Sequence, residues 1–96
     1  MQRTPCVYIL ASQPRGTLYV GVTANLVGRV HQHRSQAIPG FTQKHHVHRL
    51  VWYEQHQTME SAIAREKALK NWKRAWKLNL VEDANQAWQD LYDSIC

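Results

Sequence analysis

Arg29 and His33 are a pair of residues whose types and spacing indicate chemistry on a phosphate group. On a helix, residues four positions apart are neighbours on one face. A guanidinium donates paired hydrogen bonds to phosphate oxygens, and an imidazole exchanges a proton near neutral pH. The pair is therefore suited to holding and protonating a phosphodiester, although an exposed Arg–His pair that serves only solvation has the same spacing.

Glu66 lies within a row of apolar residues that recur at spacings of three and four. The row predicts the buried stripe of a helix and consists of Met59, Ala62, Ile63, Leu69, Trp72 and Trp76. A carboxylate facing a core is costly unless it is paired or binds a cation. Glu66 is thus either a metal ligand or acid–base group at the mouth of a cleft, or a carboxylate at the stripe edge paired with Arg29 or Lys70. One such ligand suffices for Mg²⁺, which keeps several waters.

Tyr8 and Tyr19 are predicted to share one face of a β-hairpin. The segments around them are rich in β-branched and aromatic residues, and Pro14 and Gly16 between the segments are typical of a turn. Since side chains alternate along a strand, both tyrosines point one way, beside Gly21, and the aliphatic residues point the other. The aliphatic set is Val7, Ile9, Ala11, Leu18, Val20 and Val22. The two phenols form either a binding surface or the start of an active site.

The elements that must position these residues follow from the rest of the pattern. A helix is predicted up to Arg34, with Thr23 or Asn25 as its N-cap. The later elements are a loop from Pro39-Gly40 through residue 48, a third strand at Arg49–Glu54, a helix from about Met59 to Trp76 that either runs through or breaks, and a helical segment within Asp83–Tyr92. The order β-β-α-β-α-α predicts an α+β fold with a small, mainly antiparallel three-stranded sheet flanked by helices, in a single domain over residues 1–96.

The charge distribution predicts a polyanionic partner. The net charge is +5, but all twelve Lys and Arg residues lie at or before Lys77, so residues 1–77 carry +9 and the remainder carries −4. A basic body favours nucleic acid, with a merely solvated basic surface as the alternative. The residues predicted to contact phosphates are Lys44 and a ridge at helical spacing, Lys70, Lys73, Arg74 and Lys77. Trp72 and Trp76, which interleave with the ridge, are predicted to be core residues, with stacking platforms as the alternative.

Several classes of protein are disfavoured by composition. The apolar run near the N-terminus is shorter than a signal-peptide core, and no segment approaches the ~18 apolar residues of a membrane span. The two cysteines, Cys6 and Cys96, stand at opposite ends, which favours a reducing, cytoplasmic location. Six histidines are present, but no cysteine or carboxylate accompanies them at ligand spacing, so no structural zinc site is expected.

Together these residues resemble the GIY-YIG nuclease superfamily. Val7-Tyr8-Ile9 and, eleven residues later, Tyr19-Val20-Gly21 resemble the paired tripeptides of the name, and Arg29-x-x-x-His33 and Glu66 resemble the motifs on its helices. The chain is most similar to the small stand-alone bacterial members, described as endonucleases or as relatives of the excision-repair incision subunit. Further stretches that resemble this subgroup are Gly21-Val22-Thr23, Ile38 to Thr42, Leu50 to Glu54, Ala64 to Lys67 and Asn85 to Tyr92.

The resemblance implies hydrolysis of DNA phosphodiesters with Mg²⁺ or Mn²⁺, RNA being an open alternative. It implies that Tyr8 and Tyr19 line the site, with Tyr8 assisting deprotonation of the attacking water. Arg29 would bind the scissile phosphate, His33 would assist proton transfer, and Glu66 would hold the metal ion.

The sequence departs from the family pattern at several positions. Val7 replaces Gly, Val20 replaces Ile, and His45 stands where an aromatic Tyr is expected. An Asn beyond the metal Glu is common in the superfamily, but neither Asn79 nor Asn85 matches its motif, so that role stays unassigned. Two other functions are open: a non-catalytic nucleic-acid-binding module that retains the fold, and a protein-interaction domain whose acidic tail docks on a basic partner or on its own basic ridge.

Overall fold

The computed structural model describes residues 4–35 and 40–95. Its elements in chain order are β1 (Cys6–Ala11), β2 (Leu18–Thr23), α1 (Leu26–Arg34), α2 (Phe41–Lys44), β3 (Arg49–Gln55), α3 (Met59–Lys70), α4 (Arg74–Ala84) and α5 (Tyr92–Ile95). The α+β fold with a three-stranded antiparallel sheet is confirmed. Among the described residues, no helix is long and apolar enough to cross a membrane.

The predicted hairpin forms two of the three strands. The sheet order is β2-β1-β3, with both pairs antiparallel, so β1 is the central strand and is buried along its whole length. Tyr8 on β1 lies opposite Gly21 on β2 and Tyr53 on β3. A register shift between Ile9 and Leu10 marks an irregularity in the pairing with β3.

The predicted alternation of side chains divides the core into two clusters, one for each face of β1. The aliphatic face of the hairpin packs against Ala62 and Leu69 of α3 and Leu78 and Val81 of α4. The other face carries Tyr8 and Leu10, which pack with Val30 of α1 and with Val47 and Leu50. The tyrosine face is therefore covered by α1, and the site residues of α1 are brought directly onto it.

The N-terminus of α1 is fixed by two side-chain hydrogen bonds. Asn25 is the N-cap, and its Oδ1 accepts a hydrogen bond from the Gly28 backbone N–H at 3.1 Å. Of the two candidate caps, Thr23 is not the N-cap: its Oγ1 accepts a hydrogen bond from the N–H of Asn25 at 3.0 Å, just before the helix begins. These bonds satisfy backbone donors that the first turn leaves free. They orient α1 so that Val30 and His33 are buried while Arg29 stays exposed.

The long helix predicted from Met59 to Trp76 breaks after Lys70, and α4 begins at Arg74. The apolar stripe is wrong at two positions: Trp76, beyond the break, is 51% exposed, and Ile63, within α3, is 37% exposed. Trp72 packs partly buried against the first cluster, as predicted, but Trp76 is not a core residue. The basic ridge is also divided, because Lys70 ends α3 whereas Arg74 and Lys77 lie on α4.

The helical segment predicted within Asp83–Tyr92 is wrong for most of its length. α4 ends at Ala84, Trp88 has a left-handed φ of 56°, and helix resumes only at Tyr92. The buried Asn85 side chain explains the break, since its Nδ2 donates to Val51 O at 3.0 Å and to Gln89 O at 2.9 Å. Asn85 thus anchors this turn to β3.

Two acidic residues of the C-terminal region pair with arginines of the basic body. Glu82 accepts from Arg15 at 2.7 Å and from Trp88 Nε1 at 2.8 Å, and these hydrogen bonds lower the pKa of Glu82. Asp90 pairs with Arg34. The acidic tail therefore docks on its own chain at Arg15 and Arg34, outside the basic ridge.

The loop predicted from Pro39-Gly40 through residue 48 contains the single-turn helix α2. Thr42 and Val47 are buried, and the Val47 N–H donates to Thr42 O at 2.9 Å. This turn packs on α1 because its Thr42 side chain has a partner there, which no local periodicity could predict. Three residues named in the sequence analysis lie outside the described residues: Ile38 and Pro39 of the family-like stretch, and Cys96. Cys6 is a buried free cysteine, and burial raises the pKa of its thiol.

Gly21→Ala is expected to destabilise the fold by about 1–3 kcal/mol, because a Cβ at Gly21 would lie 2.4 Å from both Cζ and Oη of Tyr8 and push the ring aside. Urea unfolding measures the loss. The same substitution in a Tyr8→Leu background should cost clearly less, since the clashing ring is gone. Equal costs in both backgrounds would contradict this account of Gly21.

Candidate active site

A buried hydrogen bond joins the central strand to α1 on the tyrosine face. Tyr8 Oη lies 3.1 Å from Nε2 of His33, and the two residues are only 1% and 4% exposed. Tyr8 is held by its place in β1, and His33 by the last turn of α1. Two groups that can exchange a proton are thus in direct contact, although they lie 25 residues apart in the sequence.

The second ring nitrogen of His33 is also bonded. Nδ1 lies 3.0 Å from Oγ1 of Thr42, which is itself buried. Burial and the charge of Arg29 lower the pKa of His33, so the ring is neutral at neutral pH and carries one N–H. A chain Tyr8–His33–Thr42 satisfies both nitrogens in either tautomer, since hydroxyl groups both donate and accept.

Tyr8 is a protonated phenol in this environment. Burial raises its pKa, the nearby Tyr19 and Glu66 raise it further, and the Arg29 charge opposes them. The single guanidinium of Arg29 therefore does not outweigh the effect of burial on the pKa of Tyr8. Any role for Tyr8 in taking a proton requires that its own proton has somewhere to go.

Tyr19 and Arg29 complete the rim of the site. The Tyr19 ring centroid lies 6.3 Å from that of Tyr8 and 5.4 Å from that of His33, so the three rings form one cluster. Arg29 is exposed on α1, one turn before His33, and its charge acts on both Tyr8 and His33. The guanidinium is thus close to the buried pair and open to a ligand.

Glu66 brings negative charge to the same place from α3. Its side chain is 14% exposed and accepts an ion pair from Lys70 Nζ at 3.0 Å, the stripe-edge pairing that was one of its two interpretations. The charge of Glu66 nevertheless reaches Tyr8 and raises its pKa. Lys70 is 52% exposed, so it can leave the carboxylate without burying an unpaired charge.

The Glu66 carboxylate is a suitable ligand for a hard cation. Within residues 4–35 and 40–95, no three His, Cys, Asp or Glu side chains cluster as a metal site. An ion held by one carboxylate and by waters, in the manner of Mg²⁺, does not need such a cluster. Glu66 is partly open, and its charge acts on Tyr8, so this carboxylate fits a divalent ion at this position.

A family comparison agrees with this geometry. The model of the GIY-YIG catalytic domain matches residues 4–79 of the 96-residue chain. The chain belongs to the GIY-YIG family. Comparisons with curated proteins and with solved structures gave no match. The GIY-YIG family is one of nucleases, so membership supports an endonuclease-type function acting on nucleic acid. All five candidate residues, Tyr8, Tyr19, Arg29, His33 and Glu66, lie inside the matched region.

The two asparagines that were left unassigned differ in this GIY-YIG chain. Asn79 is exposed on α4 at the last matched position. Asn85 lies beyond the match and is buried, with its amide bonded to backbone groups of Val51 and Gln89. Asn85 is therefore a structural residue of the turn after α4.

The residues predicted to contact phosphates are separate from the five candidate catalytic residues of this GIY-YIG chain, and they do not form one row. Lys44 is exposed on α2, and Lys70 pairs with Glu66. Lys73 Nζ lies 5.6 Å from the centroid of the exposed Trp76 ring, and Lys77 is half-buried. Arg74 donates to the carbonyls of Arg15 and Gly16, so it also supports the hairpin turn.

Thr42 and Phe41 are site residues that the sequence alone did not single out. Thr42 bonds His33 across nine positions and a loop, and Phe41 is 49% exposed with its ring 6.4 Å from that of Tyr19. The available signal was the family-like stretch that ends in Phe41-Thr42, although it indicated likeness and no role.

His33→Gln is expected to make the folded state less sensitive to acid. The folded pKa of His33 is lowered, so protons favour the unfolded chain once pH falls below its ordinary value of about 6.5. This stability is complete above about pH 6.5 and is lost as pH falls towards the folded pKa, at no more than about 1.4 kcal/mol per pH unit. Urea unfolding at about pH 7.5 and 5.5 measures the difference. The exposed His31→Gln serves as the control, and an unchanged slope for His33→Gln would contradict the assignment.

Proposed function

We propose that this GIY-YIG protein is a divalent-metal-dependent endonuclease that hydrolyses DNA phosphodiester bonds. Its substrates in this proposal are particular DNA structures, and its activity serves DNA repair or processing. The observation that carries the proposal is the buried Tyr8–His33 hydrogen bond beside Arg29 and Glu66. A cytoplasmic location is part of the proposal, because two cysteines at opposite ends of the sequence suit a reducing compartment.

Proton transfer in this proposal runs through Tyr8 to His33. Tyr8 Oη accepts a proton from the attacking water while its own proton passes to His33 Nε2, so no free phenolate forms. Because its pKa is raised, Tyr8 starts out protonated and must give up its own proton when it accepts another. The pKa of His33 is lowered, so the imidazole starts out neutral and has a ring nitrogen that can accept that proton. Thr42 Oγ1 accepts from Nδ1–H of His33 and holds the tautomer that leaves Nε2 open.

Arg29 and Glu66 supply the charges that this relay lacks. Arg29 is exposed at the rim, where its guanidinium can donate two hydrogen bonds to the scissile phosphate and stabilise the charge that develops on it. Glu66 would hold Mg²⁺ or Mn²⁺, which when bound supplies charge neutralisation at the phosphate oxygens. Tyr19, in contact with both rings, positions Tyr8 and His33 and lines the entrance.

Binding of DNA in this proposal uses basic side chains outside the catalytic cluster, of which Lys77 is half-buried. Lys44 on α2, Lys73 before α4 and Lys77 contact phosphates on either side of the scissile bond, and Lys70 and Arg74 contribute where their own partners release them. Such contacts fix the path of the backbone without reading sequence. Affinity should therefore fall steeply with salt.

A cleavage panel tests the proposal. Single-stranded, duplex, bulged, flapped and branched DNA are incubated with the wild-type protein in Mg²⁺, in Mn²⁺ and in EDTA. Cleavage of at least one substrate that EDTA abolishes is expected, and Arg29→Ala prepared in parallel should lose it by roughly 10²–10³-fold. If no substrate is cut in either metal, the endonuclease proposal is wrong.

The ion pair between Lys70 and Glu66 favours one second candidate, a nucleic-acid-binding module without catalysis. A carboxylate that stays paired with its lysine has no need of a metal. In that case DNA binding is salt-sensitive, metal-independent and weakened by neutralising Lys73 and Lys77, and no cleavage accompanies it.

A further inference from the structure

The entrance of the site carries an exposed aromatic ring on an anchored helical turn. Phe41 is 49% exposed, whereas the next residue, Thr42, is buried and bonded to His33. The backbone of the turn is closed by bonds from the Lys44 N–H to Gly40 O and from the His45 N–H to Phe41 O, both at 3.0 Å. The Phe41 ring is therefore held outward at a fixed place.

Phe41 continues the ring cluster of the site to the surface. Tyr8 contacts Tyr19 at 6.3 Å, Tyr19 stacks with Phe41 at 6.4 Å and 26°, and Phe41 contacts His45 at 4.5 Å. The series runs from a side chain that is 1% exposed to two that are exposed. A planar group placed on Phe41 would therefore lie one ring away from Tyr19.

The charge beside Phe41 favours a nucleobase over an apolar protein side chain. Lys44 is exposed on the same turn, and the region through Lys77 carries +9. A flat aromatic ring next to a lysine matches a base joined to a phosphate, because the ring stacks on the base and the ammonium pairs with the phosphate. A base in a continuous duplex is already stacked on both sides and cannot reach such a ring.

From these observations we propose that Phe41, with His45 beside it, is a stacking platform for one unpaired base next to the scissile phosphate. The substrate class is then DNA with an unpaired nucleotide at the cleavage position, such as a bulge, a flap or a strand end. The position of the base next to a phosphate that is cleaved rests on the proposed function, whereas the stacking itself requires only that the protein binds DNA.

Fluorescence of 2-aminopurine tests the platform in wild-type protein with EDTA, where no cleavage occurs. Two DNAs are compared, one with the 2-aminopurine in a single-nucleotide bulge and one with it paired. Binding should quench the bulged base further, and Phe41→Leu should remove that quenching and weaken bulge binding about tenfold. Affinity for the paired DNA should change less than about twofold, and Phe41→Trp should keep the wild-type behaviour.

Trp76→Leu is the matched control, because Trp76 is 51% exposed, also lies near a lysine, and belongs to α4. It should leave the ratio of bulge to duplex affinity unchanged. The inference is overturned if Phe41→Leu leaves that ratio unchanged or if the protein binds neither DNA at low salt. If the ratio behaves as expected but wild type cuts nothing, the platform stands and the endonuclease proposal fails.

Discussion

Replacing Glu66 with glutamine is expected to lower Mg²⁺-dependent DNA cleavage by about a thousandfold or more while leaving DNA affinity within about threefold. Glutamine has the same size as glutamate but no charge, so its amide oxygen binds a hard cation much more weakly than the carboxylate does. The ion pair that is lost has its lysine, Lys70, 52% exposed, and such surface pairs contribute little to folding. Single-turnover cleavage of an end-labelled substrate measures the first effect, and fluorescence anisotropy in EDTA measures the second.

Glu60→Gln is the matched control for this variant. Glu60 is an exposed glutamate in the first turn of the same helix, far along α3 from Lys70. It should leave cleavage unchanged. If Glu66→Gln cuts as fast as wild type at every Mg²⁺ concentration, Glu66 is not the metal ligand. A Mg²⁺ requirement that shifts to higher concentration, with the maximal rate retained, would make Glu66 only one of several ligands.

Local sequence patterns predicted the parts of this fold that depend on local physics. The hairpin followed from period-2 alternation, and the structure places Tyr8 and Tyr19 on one face because alternation in paired strands is obligatory. Asn25 caps α1 as one of the two predicted candidates, because its side-chain oxygen accepts a hydrogen bond from the free backbone N–H three residues later. Motif spacing then placed Arg29 and His33 on one helical face.

The errors occur where tertiary contacts override a local pattern. Trp76 continues the apolar period of α3 in the sequence, but the chain breaks at Asn71–Lys73 and starts a new helix that turns the indole outward. Residues 85–91 have helical composition, yet the Asn85 side chain competes for backbone groups and ends the helix. The partner of Thr42 lies across a loop, so no local pattern contains it.

The protonation of the site could not be predicted from residue types either. Residue types alone do not show which of two opposing effects on the pKa of Tyr8 is larger, the charge of Arg29 or burial. In the fold, burial dominates and raises the pKa of Tyr8, while the same burial lowers that of His33. The two shifts favour a neutral pair, so in the proposed mechanism Tyr8 passes its own proton on to His33 and forms no free phenolate.

Tyr8→Phe is therefore expected to lower cleavage by about a hundredfold or more, because it removes the oxygen that receives the proton of the attacking water. It should also lower the free energy of unfolding by about 1–3 kcal/mol, since Nε2 of the buried His33 loses its partner. Metal dependence and DNA affinity should stay near wild type. Single-turnover cleavage and urea unfolding measure the two effects separately.

A double variant distinguishes the chemical role of Tyr8 from its structural one. Adding His33→Leu to Tyr8→Phe removes both polar partners, so part of the lost stability should return while cleavage stays low. Tyr53→Phe, which makes the same change on the neighbouring strand opposite Tyr8, is the control and should cut normally. If cleavage recovers together with stability in the double variant, Tyr8 acts only by supporting the fold. If cleavage stays low in a stable protein, lost stability does not explain the defect, and the hydrogen-bonded pair of Tyr8 and His33 takes part in the proton transfer.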